Sequence, residues 1–278
     1  MGAFAVRHCV AVYYTNTHIN LHSKPDTHTH LYDIRSIPRF HENCNERRRV
    51  LRNKSLSILC RSSHIREYLL DVSVLEAINT LRSMRRLKPD PVEPENIHLI
   101  LEAAGKEPSG GNSQPWEFII ITEPSVKKRI RKLTMEGLEI YVRSNIRIPK
   151  EVVSEFLSPT NPVASMAQNT DRVPVLILAC LNTKRAKRLT DEWAWMEEQA
   201  NWASLFPAVQ NLLLAARAVG LGTAISVFPL FRMIELRKLL RLPDFVKPGI
   251  LIYVGYPTAR FSEPKRLPID TFIHTNTW

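Results

Sequence analysis

The pattern of apolar and polar positions divides the chain near residue 70. Residues 1–69 show no sustained helical or strand periodicity, whereas from Val72 onward apolar residues recur at helical or strand spacing. The body, residues 70–278, is therefore predicted to carry the fold. Residues 1–69 are predicted to be a poorly ordered basic extension, with a basic arm or a targeting element as alternatives. Because patterned sequence begins so abruptly, a misassigned start, with initiation at Leu70 or Val72, is a further hypothesis.

The periodicities of the body predict the element order helix, helix, strand, helix, strand, helix, strand, helix, strand. The first helix is expected to begin at Val72 and end at Arg86, before Lys88-Pro89 breaks the chain. Residues 137–172 are weakly patterned and are expected to form a mobile or variable insertion. Further helices are expected near residues 97–105, 123–133, 200–219 and 231–240, and strands near residues 116–122, 173–181, 223–228 and 249–256. The pattern thus predicts a four-stranded core, but the connection lengths do not fix the strand directions.

Composition indicates a globular protein without membrane partners. The 278 residues are 44% hydrophobic and 23% charged. The apolar run from Asn211 to Phe231 contains Arg217 and Pro229, which argue against a membrane-spanning helix. The four cysteines have no C-x-x-C pair and no zinc-like spacing, so we expect reduced thiols in a cytoplasmic protein; they are Cys9, Cys44, Cys60 and Cys180.

The formal net charge of +11 raises the question of nucleic-acid binding, and the distribution of the charge answers it. Residues 1–70 hold 11 Lys and Arg against 5 Asp and Glu, a surplus of 6, so more than half of the excess lies in the first quarter of the chain. Basic residues are not interleaved with aromatic ones as in a stacking surface. We therefore expect no specific nucleic-acid partner, with binding through the basic extension as the alternative.

The body lacks the residues of a self-sufficient catalytic machine. It contains no G-x-S-x-G, Walker, G-x-G-x-x-G or H-E-x-x-H motif, and its only histidines are His98 and His274. Cys180 lies in an apolar predicted strand and is most simply a small buried hydrophobe. We therefore predict no catalytic side chain and no metal site, and chemistry that is supplied by a bound cofactor.

Three stretches of the body could bind an anionic, planar ligand. Arg82 and Arg85, three positions apart on the predicted helix, would form a forked clamp suited to phosphate. Their alternative role is to complement the helix dipole. Ser109-Gly-Gly-Asn112 lets backbone amides approach a ligand closely, although an ordinary helix-to-strand turn would look the same. Lys265-Arg266 adds two cations near the C-terminus, or only a basic tail surface.

The order of these stretches resembles the flavin-dependent nitroreductase family over residues 70–278. The most specific block is Pro108-Ser-Gly-Gly-Asn-Ser-Gln-Pro-Trp116. The other blocks are Leu81-Arg-Ser-Met-Arg-Arg86 with Lys88-Pro-Asp-Pro-Val92, Leu101-Glu-Ala-Ala104, Pro207-Ala-Val-Gln-Asn-Leu-Leu-Leu-Ala-Ala216 with Gly220-Leu-Gly-Thr223, Val254-Gly-Tyr-Pro257 and Lys265-Arg-Leu-Pro268. The chain departs from the family at Leu81, where an arginine is common, and at Leu87, where an aromatic residue is common.

The resemblance implies an α+β fold, with a mixed or antiparallel sheet of four to five strands flanked by helices, in a homodimer that binds FMN at its interface. By position, Arg82, Ser83 and Arg85 would hold the FMN phosphate and ribityl chain, and Arg266 would reach the phosphate. Four loop residues would line the isoalloxazine ring, namely Pro108, Ser109, Gly110 and Asn112. Ser226 and Val227, on the strand after Gly222, would approach the reactive edge of the ring, and residues 203–219 would form the central interface helix.

The same resemblance implies a ping-pong reaction in which NAD(P)H reduces FMN and a nitroaromatic, quinone or similar acceptor is reduced in turn. Trp193 and Trp195 are candidates for the substrate-side wall, with core or dimer packing as their alternative role. The enzymatic alternatives are a reductive dehalogenase and a flavin-consuming enzyme. The non-enzymatic alternative is a flavin-binding or flavin-sequestering protein.

Overall fold

The computed structural model describes residues 72–278, and the predictions for residues 1–69 lie outside the described residues. The α-helices are α1 (Val74–Thr80), α2 (Pro94–Gly105), α3 (Pro124–Ser144), α4 (Val153–Leu157), α5 (Pro162–Gln168), α6 (Ala194–Ala218) and α7 (Met233–Leu240). The strands are β1 (Trp116–Ile121), β2 (Val175–Asn182), β3 (Gly222–Ser226) and β4 (Val246–Gly255). Short 3-10 helices lie at Gly110–Asn112, Lys150–Val152, Thr170–Arg172, Asp191–Trp193, Phe228–Arg232 and Ile269–Phe272. None of the described helices is both long and apolar enough to cross a bilayer.

The four strands form one antiparallel sheet in the order β1-β2-β4-β3. Strand β2 lies between β1 and β4, and all eight of its residues are buried. Its register against β4 shifts between Ala179 and Cys180, which is a bulge. The α+β prediction with a sheet of at least four strands is confirmed, and the strand direction that the sequence left open is antiparallel throughout.

Helices cover both faces of the sheet. Alternate residues of β2 point to opposite sides, and on each side they pack against different helices. On one face, Ile177 and Ala179 belong to a cluster with residues of α2 and α6, among them Ile100 and Leu212. On the other face, Leu176, Leu178 and Cys180 belong to a cluster with residues of α3 and α7, among them Ile130 and Leu236. The continuous apolar run of β2 is thus explained by burial on both sides, which is the strongest driving force in the fold.

The first helix is shorter than its periodicity predicts. Helix α1 ends at Thr80, and the following segment is extended. The Met84 amide donates to the Thr223 carbonyl at 2.7 Å, and Leu87 forms a bridge with Pro257. These long-range backbone hydrogen bonds draw the segment along β3 and the end of β4. The prediction of a helix to Arg86 was therefore wrong, and with it the argument that Arg82 and Arg85 share one helix face.

Residues 137–172, expected to form a mobile or variable insertion, contain helices that pack into a buried cluster. Helix α3 runs on to Ser144, and α4 and α5 follow it. Leu138 and Val142 of α3 form a separate buried cluster with Ala164 and Ala167 of α5. The cluster was missed because α4 and α5 have only five and seven residues, too few for a clear helical period.

Close backbone approaches position the loops around β3. A Cβ atom on Gly137 of α3 would lie 1.8 Å from the carbonyl oxygen of Phe228, so only glycine lets the two backbones meet there. A Cβ atom on Gly249 of β4 would lie 2.9 Å from side-chain atoms of Leu205 and Trp202, which brings α6 against the sheet. These contacts fix the start of the 3-10 helix after β3 and the position of the longest helix.

Candidate cofactor site

Arg82, Ser83 and Arg266 line one cavity of about 160 Å³ beside β3. The rest of its wall is formed by Leu81, Leu213 of α6, and Thr223, Ala224 and Ile225 of β3. The structure therefore brings together two cations that the sequence places at opposite ends of the body. No carboxylate is among the described residues of this wall. The cavity is consequently electropositive and suited to an anionic group.

The Arg82 guanidinium makes a hydrogen bond within the chain but leaves another donor without a partner. Its Nη2 donates to the carbonyl oxygen of Arg260 at 3.2 Å. Its Nε is buried and has no hydrogen-bond partner among the described residues. An unpaired buried donor on a guanidinium costs free energy unless an acceptor reaches it. A phosphate oxygen is the acceptor that such a fork matches best, so the residues present fit a phosphate-bearing cofactor.

Arg85 lies in a neighbouring depression and not beside Arg266. This second depression, of about 410 Å³, is lined by Arg82, Ser83, Met84, Arg85, Arg86, Pro162, Thr258 and Ala259. Arg82 and Ser83 belong to both depressions, because the extended segment after α1 forms the wall between them. Arg85 thus lines this second depression and not the wall that Arg266 shares.

The Ser109–Asn112 loop is built from left-handed backbone and internal hydrogen bonds. Gly111, Asn112 and Gln114 have φ angles of 58°, 53° and 46°. The Ser109 hydroxyl accepts from the Gln114 amide at 2.9 Å, and the Gln114 side chain donates to Asn112 Oδ1 at 3.1 Å. Two non-glycine residues in the left-handed region carry strain that packing and hydrogen bonds must offset. Gln114 braces the loop in this conformation.

Neither the backbone angle nor a close contact within the chain requires glycine at position 110. Its φ is not in the positive range, and a Cβ atom placed on it would meet no atom within 4 Å. Gly111, in contrast, has a positive φ, and a Cβ atom there would lie 2.6 Å from Lys187 Cε. Gly110 therefore offers an open, flat patch of backbone of the kind that a planar ring can cover.

Residues of α6 that point in different directions contact the segment before the loop and line the Arg82 cavity. Asn211 of α6 donates to Glu107, which precedes the loop, at 2.7 Å. Leu213, two positions further along α6, lines the Arg82 cavity. Two positions on an α-helix differ by about 200° in direction. Within the described part of one chain, the wall of the Arg82 cavity accordingly includes no residue from Pro108 to Asn112.

The two candidates at the end of β3 differ in exposure. Strand β3 ends at Ser226, so Val227 follows the strand and does not belong to it, contrary to the prediction. Ser226 is buried, and its hydroxyl accepts from the Phe228 amide at 3.2 Å. Val227 is 44% exposed. Of these two side chains, only that of Val227 is open to a ligand, while Ser226 would contribute through its backbone.

Five residues of the cavity wall were not predicted as site residues, namely Leu81, Leu213, Thr223, Ala224 and Ile225. Leu213 and Thr223 lie in blocks that resemble the family but were assigned no site role, and Ala224 follows the second block; all three are buried, as ordinary core residues are. Ile225 carried a possible signal, because a large apolar residue is 44% exposed on an edge strand. The predicted wall residues Trp193 and Trp195 lie near the start of α6 with their rings 6.5 Å apart, and both are about half exposed.

In the described core, burial shifts the pKa of three side chains, Cys180, Tyr253 and Lys127. Burial, aided by the charge of Glu117, raises the pKa of the Cys180 thiol to about 12, so the thiolate is absent at neutral pH. Burial also raises the pKa of Tyr253, whose hydroxyl lies 3.0 Å from Thr170 Oγ1. Burial lowers the pKa of Lys127, whose Nζ donates to the Val173 carbonyl at 2.8 Å. Each of these groups has a packing partner that explains its position.

The fold matches solved structures of nitroreductase-like proteins. The structure of B. megaterium NfrA2 matches with a TM-score of 0.58 and 20% identity, covering 74% of each chain. A structure of oxidized iodotyrosine deiodinase bound to FMN and 3-iodo-L-tyrosine matches with a TM-score of 0.57 and 22% identity, covering 74% of this chain and 100% of that one. At these identities the likeness establishes the fold alone, which is the nitroreductase fold.

Sequence comparison agrees with the fold. Iodotyrosine deiodinase 1 of Rattus norvegicus is 31% identical over 204 residues, which are 72% of this chain and 68% of that protein. A Methanothermobacter thermautotrophicus protein, provisionally named NADH dehydrogenase/NAD(P)H nitroreductase, is 28% identical over 214 residues, 74% of this chain and 92% of that protein. Fold and relatives together define a flavin-dependent oxidoreductase. Residues 78–256 match the model of the Nitroreductase family, and the chain belongs to that family.

Proposed function

We propose that the protein binds FMN and is an NAD(P)H-dependent reductase of a nitroaromatic, a quinone or a similar small acceptor. When bound, FMN would supply the redox chemistry, taking up reducing equivalents from NAD(P)H and passing them to the acceptor. The task of the protein is to bind and orient the flavin and to exclude water from it. No side chain of the protein need act as a catalytic acid, base or nucleophile.

The observation that carries the proposal is the buried, unpartnered Nε of Arg82 in the cavity that Arg266 also lines. Arg82 would donate to the FMN phosphate through this atom, and Arg266 would approach the same phosphate from the other wall. Ser83 would add a hydroxyl donor. Arg85 would reach the phosphate or the ribityl chain only from the second depression, on the other side of the extended segment.

The flavin ring would be covered by the loop of a second copy of the chain. Within the described part of one chain, no residue from Pro108 to Asn112 lines the Arg82 cavity, which supports a flavin site that a second chain completes. A homodimer that packs α6 against its counterpart would bring the loop of one protomer to the cavity of its partner. Pro108, Ser109, Gly110 and Asn112 would then line the ring, with Val227 and the backbone of Ser226 at its edge. We therefore propose a homodimer with FMN at the interface.

Absorbance spectroscopy of the purified protein tests the proposed function. The protein is expected to be yellow, and anaerobic addition of NADH or NADPH is expected to bleach the flavin band. Reoxidation by a nitroaromatic or a quinone, in single-turnover mixing, would identify the acceptor class. A colourless protein that does not bind added FMN would overturn the proposal. Binding without bleaching by either nucleotide would refute the NAD(P)H step alone and favour a sequestering role or another reductant.

Reductive dehalogenation is the second candidate function. The relative of 31% identity is named iodotyrosine deiodinase 1, and the matching structure of that enzyme class is bound to FMN and 3-iodo-L-tyrosine. Release of iodide from 3-iodotyrosine by the chemically reduced protein would support this candidate. Reoxidation by quinones without iodide release would exclude it.

We also propose a cytoplasmic location, in line with the free Cys180 thiol.

Mixed dimers test whether the flavin site is shared between two protomers. An Arg82→Ala chain and an Asn112→Ala chain, each with a different affinity tag, would be co-expressed and purified through both tags. If each flavin contacts Arg82 of one protomer and the loop of the other, the mixed dimer has one intact site and binds one tight FMN. If both groups come from the same chain, both sites are damaged and no tight FMN is bound. Unmixed dimers of each variant are the controls.

A further inference from the structure

Arg217, in the last turn of α6, is a buried cation that no step of the proposed reaction uses. The residue is 7% exposed, although it carries a full positive charge. Its Nε donates to Thr80 Oγ1 at 2.7 Å, and its Nη2 lies 3.2 Å from Glu76 Oε1. The guanidinium carbon lies 4.1 Å from the ring centroid of Phe261, which is a cation–π geometry. One side chain thus contacts α1, α6 and the C-terminal segment.

These contacts reach the immediate neighbours of the proposed phosphate site. Thr80 ends α1, two residues before Arg82. Phe261 follows Arg260, whose carbonyl oxygen accepts the hydrogen bond from Arg82 Nη2. The C-terminal segment then continues to Arg266, on the wall of the same cavity. Arg217 therefore contacts both chain segments that present Arg82 and Arg266, and it does so at residues that precede these two arginines.

A positioning role explains an arginine at position 217 better than an ordinary stabilising ion pair does. The Glu76 side chain is 50% exposed, so its attraction to Arg217 is screened by water. Burying a guanidinium has a large desolvation cost, and an apolar side chain of similar length would avoid that cost. Arginine is distinguished by its planar fork, which can hold Thr80, Glu76 and an aromatic ring in one fixed arrangement.

We infer that Arg217 is a positioning residue for the phosphate site: it sets the distance between the Arg82 segment and the Arg266 segment and thereby the affinity for the phosphate end of the flavin. The inference rests on the proposed binding of FMN. Riboflavin has the same ring and ribityl chain as FMN but no phosphate. A comparison of the two ligands therefore separates the binding of the phosphate from the binding of the ring. Misplacing the two arginines should therefore weaken FMN binding and leave riboflavin binding almost unchanged.

The test compares FMN and riboflavin dissociation constants of the refolded full-length apoprotein and its variants, measured by flavin fluorescence quenching. Arg217→Met keeps an unbranched stem but removes the guanidinium fork. We expect a Kd for FMN about tenfold higher than in the unaltered protein, and a Kd for riboflavin within about twofold. Thr80→Val, which removes one contact of Arg217, should shift the FMN constant in the same direction, and Thr80→Ser should restore it.

Arg237→Met is the matched control. Arg237 of α7 is also partly buried, and it donates to the Val246 carbonyl at 2.7 Å and the Pro243 carbonyl at 3.0 Å. Its replacement should lower the unfolding temperature without changing the FMN constant, measured below that temperature. Equal shifts of the FMN and riboflavin constants in Arg217→Met, or no shift in either, would overturn the inference. If the unaltered protein binds FMN no better than riboflavin, the phosphate site of the proposed function fails first.

Discussion

Arg82 and Arg266 lie on the wall of one cavity, although nearly the whole nitroreductase domain separates them in sequence. Both are presented by segments without regular secondary structure, the first after α1 and the second after β4. Thr223, Ala224 and Ile225 of the edge strand β3 form the floor between them. The position of this cavity explains why two short basic stretches, each unremarkable alone, can serve one anionic ligand.

Replacing Arg82 should weaken FMN binding selectively. A charge-assisted hydrogen bond contributes about 1.5–3 kcal/mol, so Arg82→Ala is expected to raise the FMN dissociation constant by about 10–100-fold. Arg131→Ala is the matched control, because Arg131 lies on α3 and donates to Gln168 and pairs with Asp171 instead. Titration of each apoprotein with FMN, followed by fluorescence, measures both constants. Equal constants for the two variants would contradict the assignment of the phosphate site.

Gly110 and Gly111 should respond differently to alanine. Gly110→Ala meets no atom of its own chain, so the free energy of unfolding should fall by less than about 1 kcal/mol or rise slightly. The added methyl group would face the flavin ring and should weaken FMN binding by about 1–3 kcal/mol. Gly111→Ala should instead destabilise the fold by about 1–2 kcal/mol, because its φ is 58°. Urea unfolding of apoprotein and FMN titration together separate these effects. Unchanged FMN affinity in Gly110→Ala would remove Gly110 from the site.

Gly137→Ala should destabilise the whole domain. The new Cβ atom would lie 1.8 Å from the Phe228 carbonyl oxygen, so α3 and the 3-10 helix after β3 must move apart. Forced overpacking of this kind costs about 1–3 kcal/mol or more, which urea unfolding measures. Gly105→Ala, which meets no atom within 4 Å, is the control and should be neutral or slightly stabilising. A Gly137→Ala protein as stable as the control would mean that the two backbones do not meet at this point.

Cys180 should make the fold sensitive to alkaline pH. Burial raises the thiol pKa from 9.0 to about 12, so the native state retains a proton that the unfolded chain loses. This contribution to stability is complete below pH 9 and is lost as pH rises from 9 to about 12. Because Cys180→Ala removes the proton difference, the difference in unfolding free energy between the two proteins should shrink over that range. Parallel stability curves for the two proteins would show that the thiol is accessible to water.

Labelling gives an independent check on the same residue. With iodoacetamide at pH 8, the peptide that contains Cys180 should remain unmodified in the folded protein and react fully in urea, because only the thiolate is nucleophilic. Peptide mapping distinguishes Cys180 from the other three cysteines, all of which precede residue 61. Rapid labelling of Cys180 in the native protein would contradict its burial.

The sequence predicted the strands of the sheet and the loop blocks well, because their signals are local. Val173–Leu181 is an uninterrupted apolar run, and the structure places Val175–Asn182 in a strand buried on both faces. The block from Pro108 to Trp116 contains the glycines and the Gln-Pro-Trp extension that resemble one family, and the family is confirmed. Turn-forming residues and runs of apolar residues are local features of the sequence, so they predict structure without knowledge of the fold.

The end of α1 and the helical nature of residues 137–172 could not be predicted in this way. The helical spacing of Val74, Ile78 and Leu81 continued past Thr80, but the backbone after Leu81 forms hydrogen bonds with β3 and with the end of β4. Helix α5 is recognisable only through the cluster that it forms with Leu138 and Val142 of α3. In both cases contacts between distant residues override a weak local preference.

The sequence by itself determined which residues carry the positive charge, which loop exposes its backbone, and to which family the chain belongs. Only the tertiary structure decided that the strands are antiparallel in the order β1-β2-β4-β3, that Arg82 and Arg266 line one cavity while Arg85 lines another depression, and that the described wall of the cavity includes no residue of the loop. The physical reason is the range of the interactions. Residue type and turn conformation are set within a few positions, whereas a binding cavity exists only where packing and long-range hydrogen bonds bring distant segments together.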